Sequence, residues 1–320
     1  MNTMRYPIAL SLIVCLFAPA VRANHGPGAS GGGSATISGE TLLQGHFELS
    51  LREDYSQFEH FSKSAAEKRA RIGDDFDALA RGFITTAELA YGVTDDFQIG
   101  ASVGYFIGHE FRGADLEEDN SVETSTTNPD GLTDMVLVGK YRLLQGQPGN
   151  LSVIAGVVIP TGRSNVELKN GERLSPTDQP GSGRWGMPVG LAYSRFLTSH
   201  LTVDASVLYT LKFQRDDFKV GDRIDVGLAF AYRLTESIKT FPQYSVFAEL
   251  NGVYLFNDRV HGSNDPNSGS NTLYITPGMR VRFSPTMALT VAPSFPVIKD
   301  LNGDQGKVEF KLAITFSLSY

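Results

Sequence analysis

The stretch VEFKLAITFSLSY, residues 308–320, decides how this chain is read. Val308, Phe310, Leu312, Ile314, Phe316, Leu318 and Tyr320 share one parity, while Lys307, Glu309, Lys311, Thr315, Ser317 and Ser319 share the other. A strand sends successive side chains to opposite faces, so this segment is a ribbon with one apolar and one polar face. Working backwards, the same period of two recurs over residues 43–52, 83–91, 97–105, 134–142, 151–159, 184–194, 201–212, 224–233, 245–254, 273–283 and 289–297. The pattern predicts about twelve strands.

Alternation alone also fits a soluble sandwich, and three further features favour a closed barrel in a membrane. The links alternate long (54–80, 109–130, 161–183, 214–222, 257–271) and short (92–96, 144–150, 197–200, 235–244, 284–287). Outer-membrane barrels have long outer loops and short periplasmic turns. Tyr91, Phe97, Tyr141, Tyr193, Tyr232, Phe283 and Tyr320 fall near the short-turn ends. Phe83, Tyr105, Trp185, Tyr209, Phe213, Tyr254 and Phe256 fall near the long-loop ends, as two interfacial girdles require. The final strand ends on an aromatic at Tyr320, the kind of terminal strand that the barrel-assembly machinery reads. The expected fold is all-β: a closed antiparallel up-and-down transmembrane barrel of about 12 strands, over residues 41–320.

What precedes it divides in two. Residues 1–23 carry Arg5, an apolar run from Ile8 to Ala18 and small residues at Val21 and Ala23, the layout of a signal peptide cleaved after Ala23. Residues 24–40 are rich in Gly and Ser and read as a flexible N-terminal arm. The formal charge of the whole chain is −7, and loss of Arg5 and Arg22 with the leader makes the mature chain more acidic still. Such a chain has no electrostatic affinity for nucleic acid. The single cysteine, Cys15, lies in the leader, which excludes a disulfide scaffold, a thiolate metal site and a cysteine nucleophile from the mature chain. No later segment is apolar for as long as ~18 residues, so no membrane helix is expected.

Four segments resemble a known family. DGLTDMVLVGKYRLL (130–144), GVVIPTGR (156–163), GSGRWGMPVGLAYSRF (181–196) and YGVTDDFQIGASVGY (91–105) are similar to segments of the bacterial outer-membrane proteins catalogued as transporters or as a MetA pathway of phenol degradation. Thr133 stands where that family often has glycine. The resemblance implies a barrel and a transport role for hydrophobic or aromatic compounds.

With odd strands rising and even strands descending, Lys140, Arg142, Arg233, Arg280 and Arg282 point inward near the periplasmic rim. Glu88, Asp204 and Glu249 point inward at similar depth. These eight are the lumen-lining candidates, either selecting anionic or amphipathic solutes as charged rings do, or pairing with one another and filling the lumen. A catalytic alternative would need His46 as base with Ser50 or Ser319 on the same face. No histidine spacing matches zinc, and no catalytic residue, metal or cofactor is assigned. DLNGDQG (300–306) has oxygen donors at alternate positions, but Gln305 stands where a calcium loop needs glycine, and the turn reading is preferred. The outer loop near residues 65–77 has helical composition and reads as a mobile loop. The expected function is a bacterial outer-membrane pore or transporter with small-molecule solutes and membrane lipid as partners. A plugged structural or adhesive barrel and a membrane-embedded hydrolase are the alternatives.

Overall fold

The computed structural model describes residues 33–73, 75–303 and 305–320. The expected signal peptide and residues 24–32 of the expected arm lie outside them. The barrel strands are β1 (Phe47–Phe58), β2 (Arg81–Thr94), β3 (Phe97–His109), β4 (Met135–Leu144), β5 (Asn150–Ile159), β6 (Gly186–Phe196), β7 (Leu201–Lys212), β8 (Arg223–Arg233), β9 (Gln243–Leu255), β10 (Ser270–Arg282), β11 (Met287–Leu301) and β12 (Val308–Ser319). Each pairs antiparallel with its sequence neighbour, and β12 pairs with β1 to close the ring. A short segment, Asp130–Leu132, adds to β3 above the start of β4. The first strand was expected from residue 43, but it begins at Phe47. Residues 43–46 instead form a turn whose Gly45 N–H donates to Gly92 O and whose His46 N–H donates to Leu43 O.

Hydrocarbon offers backbone groups no partners, so a spanning sheet must close. The seam shows this closure. Glu48 pairs with Ser319 and each step follows in register to Ser56 opposite Lys311. Phe47 N–H donates to Tyr320 O and Tyr320 N–H to Phe47 O, at 2.7 and 2.9 Å, while the two rings stack at 5.4 Å.

Register then sets the faces. On β7 and β8, Val203, Val207 and Tyr209 stand beside Phe230, Val226 and Ile224 on the outside, while Asp204, Ser206 and Leu208 stand beside Ala229, Gly227 and Asp225 within. The outward set is exposed although apolar, with Leu51, Leu89, Leu191, Val207 and Val226 in it, as a lipid face requires. Tyr193 Oη donates to Pro148 O, and Tyr105 and Tyr209 donate to Asp130 and Asp222, so these girdle rings tie their polar ends to the rims. Among the described residues no helix is long and apolar enough to cross a membrane.

The outer loops are built, not loose. The loop after β1 carries helix α1 (Lys63–Gly73), started by Ser62, whose carbonyl and hydroxyl both accept from Ala65 N–H. Ala66 and Ala70, four apart, bury one helix face against Phe61, just before the helix, and against Phe76 and Ala114 on the three-stranded sheet of Asp75–Ala78, Phe111–Leu116 and Val122–Thr127. The expectation of a mobile loop is therefore corrected: the alanine pair gives the helix an apolar face, and the strand extension beyond β3 gives that face something to cover. The loop between β5 and β6 packs Val166, Leu168 and Leu174 against Phe111. Gln179 pins it by accepting from Val166 N–H and donating to Val166 O and Leu174 O. Nearby, burial and then the charge of Asp258 push the Asp178 carboxyl up to about 7.

Two outcomes are expected. Val207→Arg places a charge on the lipid face and costs about 2–4 kcal/mol near the bilayer midplane, read by reversible unfolding in lipid vesicles; a loss below about 0.5 kcal/mol would contradict the assigned face. Asp178 is easier to protonate in the folded loop than in the unfolded chain, so its stabilising contribution is complete at low pH and is lost as pH rises through about 7. Hydrogen exchange at Val166 and Leu174, corrected for intrinsic rate, should quicken between pH 5 and 8. Asp178→Asn should remove that change, and a wild-type loop indifferent to pH would refute the assignment.

Candidate functional site: the lumen and the N-terminal segment within it

Twelve strands ~4.8 Å apart, tilted by ~40°, enclose a ring about 24 Å across between backbones. Residues 33–42 run round the inside of that ring. Leu42 N–H donates to Gln98 on β3 at 2.9 Å. Gly39 O accepts from Ser152 on β5 at 2.6 Å, and Gly39 N–H donates to Ser194 Oγ on β6 at 2.7 Å. Ile37 N–H donates to Ser206 on β7 at 3.1 Å. Three successive N–H groups, of Ser34, Ala35 and Thr36, then converge on the Glu249 carboxylate of β9. Arg280 on β10 donates to Gly33 O at 2.7 Å, and Arg52 on β1 donates to Ser34 O at 2.8 Å.

This corrects the expectation of a flexible arm for residues 33–40. Glycine and serine there do not serve mobility. Their small side chains let the backbone lie against the wall, where its own N–H and C=O groups meet inward polar residues. The wall reciprocates at Gly227, where a Cβ would stand 2.6 Å from Thr36 Oγ1.

Strand register puts the eight expected lumen residues on one parity of the sheet, and their side chains make different contacts at different heights. Lys140 donates to Ser38 O at 3.1 Å. Asp204, buried, accepts from Ser194 Oγ, the same hydroxyl that holds Gly39. With Glu249 and Arg280 they form the seat of the N-terminal segment. Arg142, Arg233 and Arg282 bind turns instead. Arg142 pairs with Asp96 at 2.8 Å and donates to Asp95 O, Arg233 donates to Ser199 O, and Arg282 donates to Pro285 O. Glu88 stands between Ser50 and Ser102 in the strand pairing, beside Arg52. Arg52, Gln98, Ser152, Ser194 and Ser206 also hold the segment. Their inward parity was readable, but nothing in the alternation marks a partner that is itself without alternation.

The histidine alternative is not assembled. Ser50 Oγ and Ser319 Oγ both bond Glu48, at 3.2 and 3.5 Å, while His46 Nδ1 lies 3.3 Å from Gln44 O. In the 300–306 turn, Asn302 and Gln305 donate to Ser268 O and Gly269 O, so they brace the neighbouring hairpin; Asp304 lies outside the described residues.

The segments that carry the family resemblance meet at one outer corner of the barrel. Asp130 pairs with Arg163 at 2.7 Å. Asp134 accepts from Gly162 N–H and from both the N–H and hydroxyl of Ser182. Gly162 and Gly181 touch so closely that a Cβ on Gly181 would stand 2.5 Å from Gly162 Cα. Thr133, the departure from glycine, accepts from Gly104 N–H at 2.9 Å.

Comparison with solved structures agrees with the barrel. An outer-membrane channel from Pseudomonas putida F1 superposes with a TM-score of 0.59 at 13% identity, covering 92% of this chain and 99% of that one. The translocator domain of the autotransporter NalP from Neisseria meningitidis gives 0.46 at 13% identity, over 86% and 87% of the two chains. The toluene transporter TodX from Pseudomonas putida gives 0.44 at 9% identity, over 88% and 96%. No protein of curated function matches by sequence. The fold is that of a bacterial outer-membrane β-barrel. The family model described as "Putative MetA-pathway of phenol degradation" matches residues 25–295, which include all four resembling segments and the lumen seat of the N-terminal segment, and the chain belongs to that family.

Proposed function

We propose that the chain is a gated outer-membrane channel for small solutes, hydrophobic and aromatic ones among them, with the N-terminal segment as the gate. The observation that carries this reading is the polar attachment of that segment. It is held by hydrogen bonds to the wall, and a contact of that kind exchanges with water. Six of those contacts involve a charged side chain: three N–H groups on Glu249, and Arg280, Arg52 and Lys140 on carbonyls. At ~1.5–3 kcal/mol each they are worth roughly 9–18 kcal/mol. Ordering the ten residues 33–42 costs roughly 10–20 kcal/mol. Terms so nearly matched make a segment that can leave its seat. The family's description and the P. putida F1 protein, named as a channel, support the solute-passing role.

Export by a leader cleaved after Ala23, and insertion by the barrel-assembly machinery acting on the strand that ends at Tyr320, complete the proposal. Its support is the place of that strand at the closing seam. The second reading, a permanently plugged structural barrel, is favoured by the same ring of contacts if the segment never leaves.

Planar bilayers separate the two. The full chain should give small, intermittent conductance. Glu249→Gln, which weakens the seat by about 1.5–3 kcal/mol, should raise the open fraction ~10-fold or more. Removing residues 33–42 should give a large steady conductance. A deletion variant that is heat-modifiable like the parent, yet carries no current, would leave the plugged barrel as the answer.

A further inference from the structure

The lipid-facing wall of the barrel has one exception to its apolar rule. Between the two aromatic girdles, Glu53 on β1 is the one acidic or basic side chain on the outward parity of the twelve strands, among the described residues. Register fixes its face. Glu53 stands opposite Ile314 of β12 and Thr85 of β2, on the parity of the exposed Leu49, Leu51 and Leu89. Thr85 Oγ1 donates to Glu53 Oε2, while Oε1 accepts from no described residue. A carboxylate against hydrocarbon is costly unless donors meet it, so one kept on this face marks a contact.

Its surroundings give the depth. Tyr55, the next outward residue on β1, stands opposite Phe83 of the outer girdle, with ring centres 4.9 Å apart. The rings continue to Phe310, 6.5 Å from Tyr55, and to Phe295, 5.5 Å from Phe310. Two residues of a strand tilted by ~40° rise about 5 Å, so Glu53 lies about 5 Å into the hydrocarbon below that girdle. Arg81, the next outward residue above Phe83, is half-exposed at the rim, with Glu110 3.9 Å away. Glu59 and Lys307, joined by a backbone hydrogen bond at the tops of β1 and β12, balance one another in charge.

We propose that this face of β1 and β2 binds lipid A, the membrane anchor of lipopolysaccharide, with Glu53 accepting from its chains and Arg81 donating to a headgroup phosphate. An ester-linked phospholipid offers no donor at the depth of Glu53, where its chains are bare hydrocarbon. Lipid A carries amide N–H groups and 3-hydroxyls at the tops of its chains and phosphates on the sugars above them. Arg81 stands only about 10 Å above Thr85, less than the ~15 Å depth of one leaflet, so a single lipid reaches both ends. A second copy of this chain fits less well. A two-fold axis along the membrane normal would set Glu53 beside its own mate at one height, two like charges in a low dielectric. The inference concerns the outer wall and holds whether or not the lumen opens.

Native mass spectrometry of the full-length protein in detergent, offered equimolar lipid A and phosphatidylglycerol, tests it. Both lipids are anionic, and lipid A alone has donors at the tops of its chains. Bound lipid A should exceed bound phosphatidylglycerol ~10-fold or more. Glu53→Leu, which suits a lipid face and should leave the barrel heat-modifiable, should erase that preference. Arg81→Met, outside the hydrocarbon, should weaken lipid A binding ~10-fold. Equal uptake of the two lipids, or a preference untouched by Glu53→Leu, would overturn the proposal, and lipid A binding unchanged in Arg81→Met would overturn the phosphate contact. A dimer that Glu53→Leu converts to monomer would overturn it in favour of a second copy.

Discussion

Everything in this molecule depends on pairing backbone N–H and C=O groups where no water can reach them. Hydrocarbon makes an open sheet edge untenable, so β1 must find β12. Their pairing runs from Glu48 and Ser319 to Ser56 and Lys311, and Tyr320 meets Phe47 at the rim. Once that seam is closed, every side chain is committed. A slip of one residue would carry Lys311 to the lipid and Leu312 to the lumen.

Inside the ring the rule differs. The lumen is polar, and inward charges are costly unless matched. The chain answers with its own N-terminal backbone. Glu249 gathers three N–H groups, and Arg280, Arg52 and Lys140 take carbonyls in return. Arginine thus has two uses here, set by height. At the periplasmic rim Arg142 and Arg282 hold turns, and one step inward Arg280 holds the segment.

The outer rim follows a third logic, the close approach of loops. Asp134 and the Gly162–Gly181 contact bring the loop after β5 back over the start of β4. That loop then packs on Phe111, where the strand extension beyond β3 joins the sheet under α1. The outer ends of the family-like motifs are therefore braces at the mouth, while Gln98, Lys140 and Ser194 in the same motifs hold the N-terminal segment in the lumen.

The alternation in residues 43–320 was enough to specify twelve strands and their faces, because period-two patterning is local and the membrane punishes any departure from it; the alternating link lengths, the placement of the aromatics and the terminal strand added the girdles and the closure. It also placed Lys140, Asp204, Glu249 and Arg280 on the inside. The partners of those residues were not legible. Residues 33–40 have no periodicity, and glycine and serine look alike in a free tail and in a backbone seated against a wall. Contacts such as Ser34 to Glu249 join positions more than two hundred residues apart, so they exist only after the ring has closed around the segment.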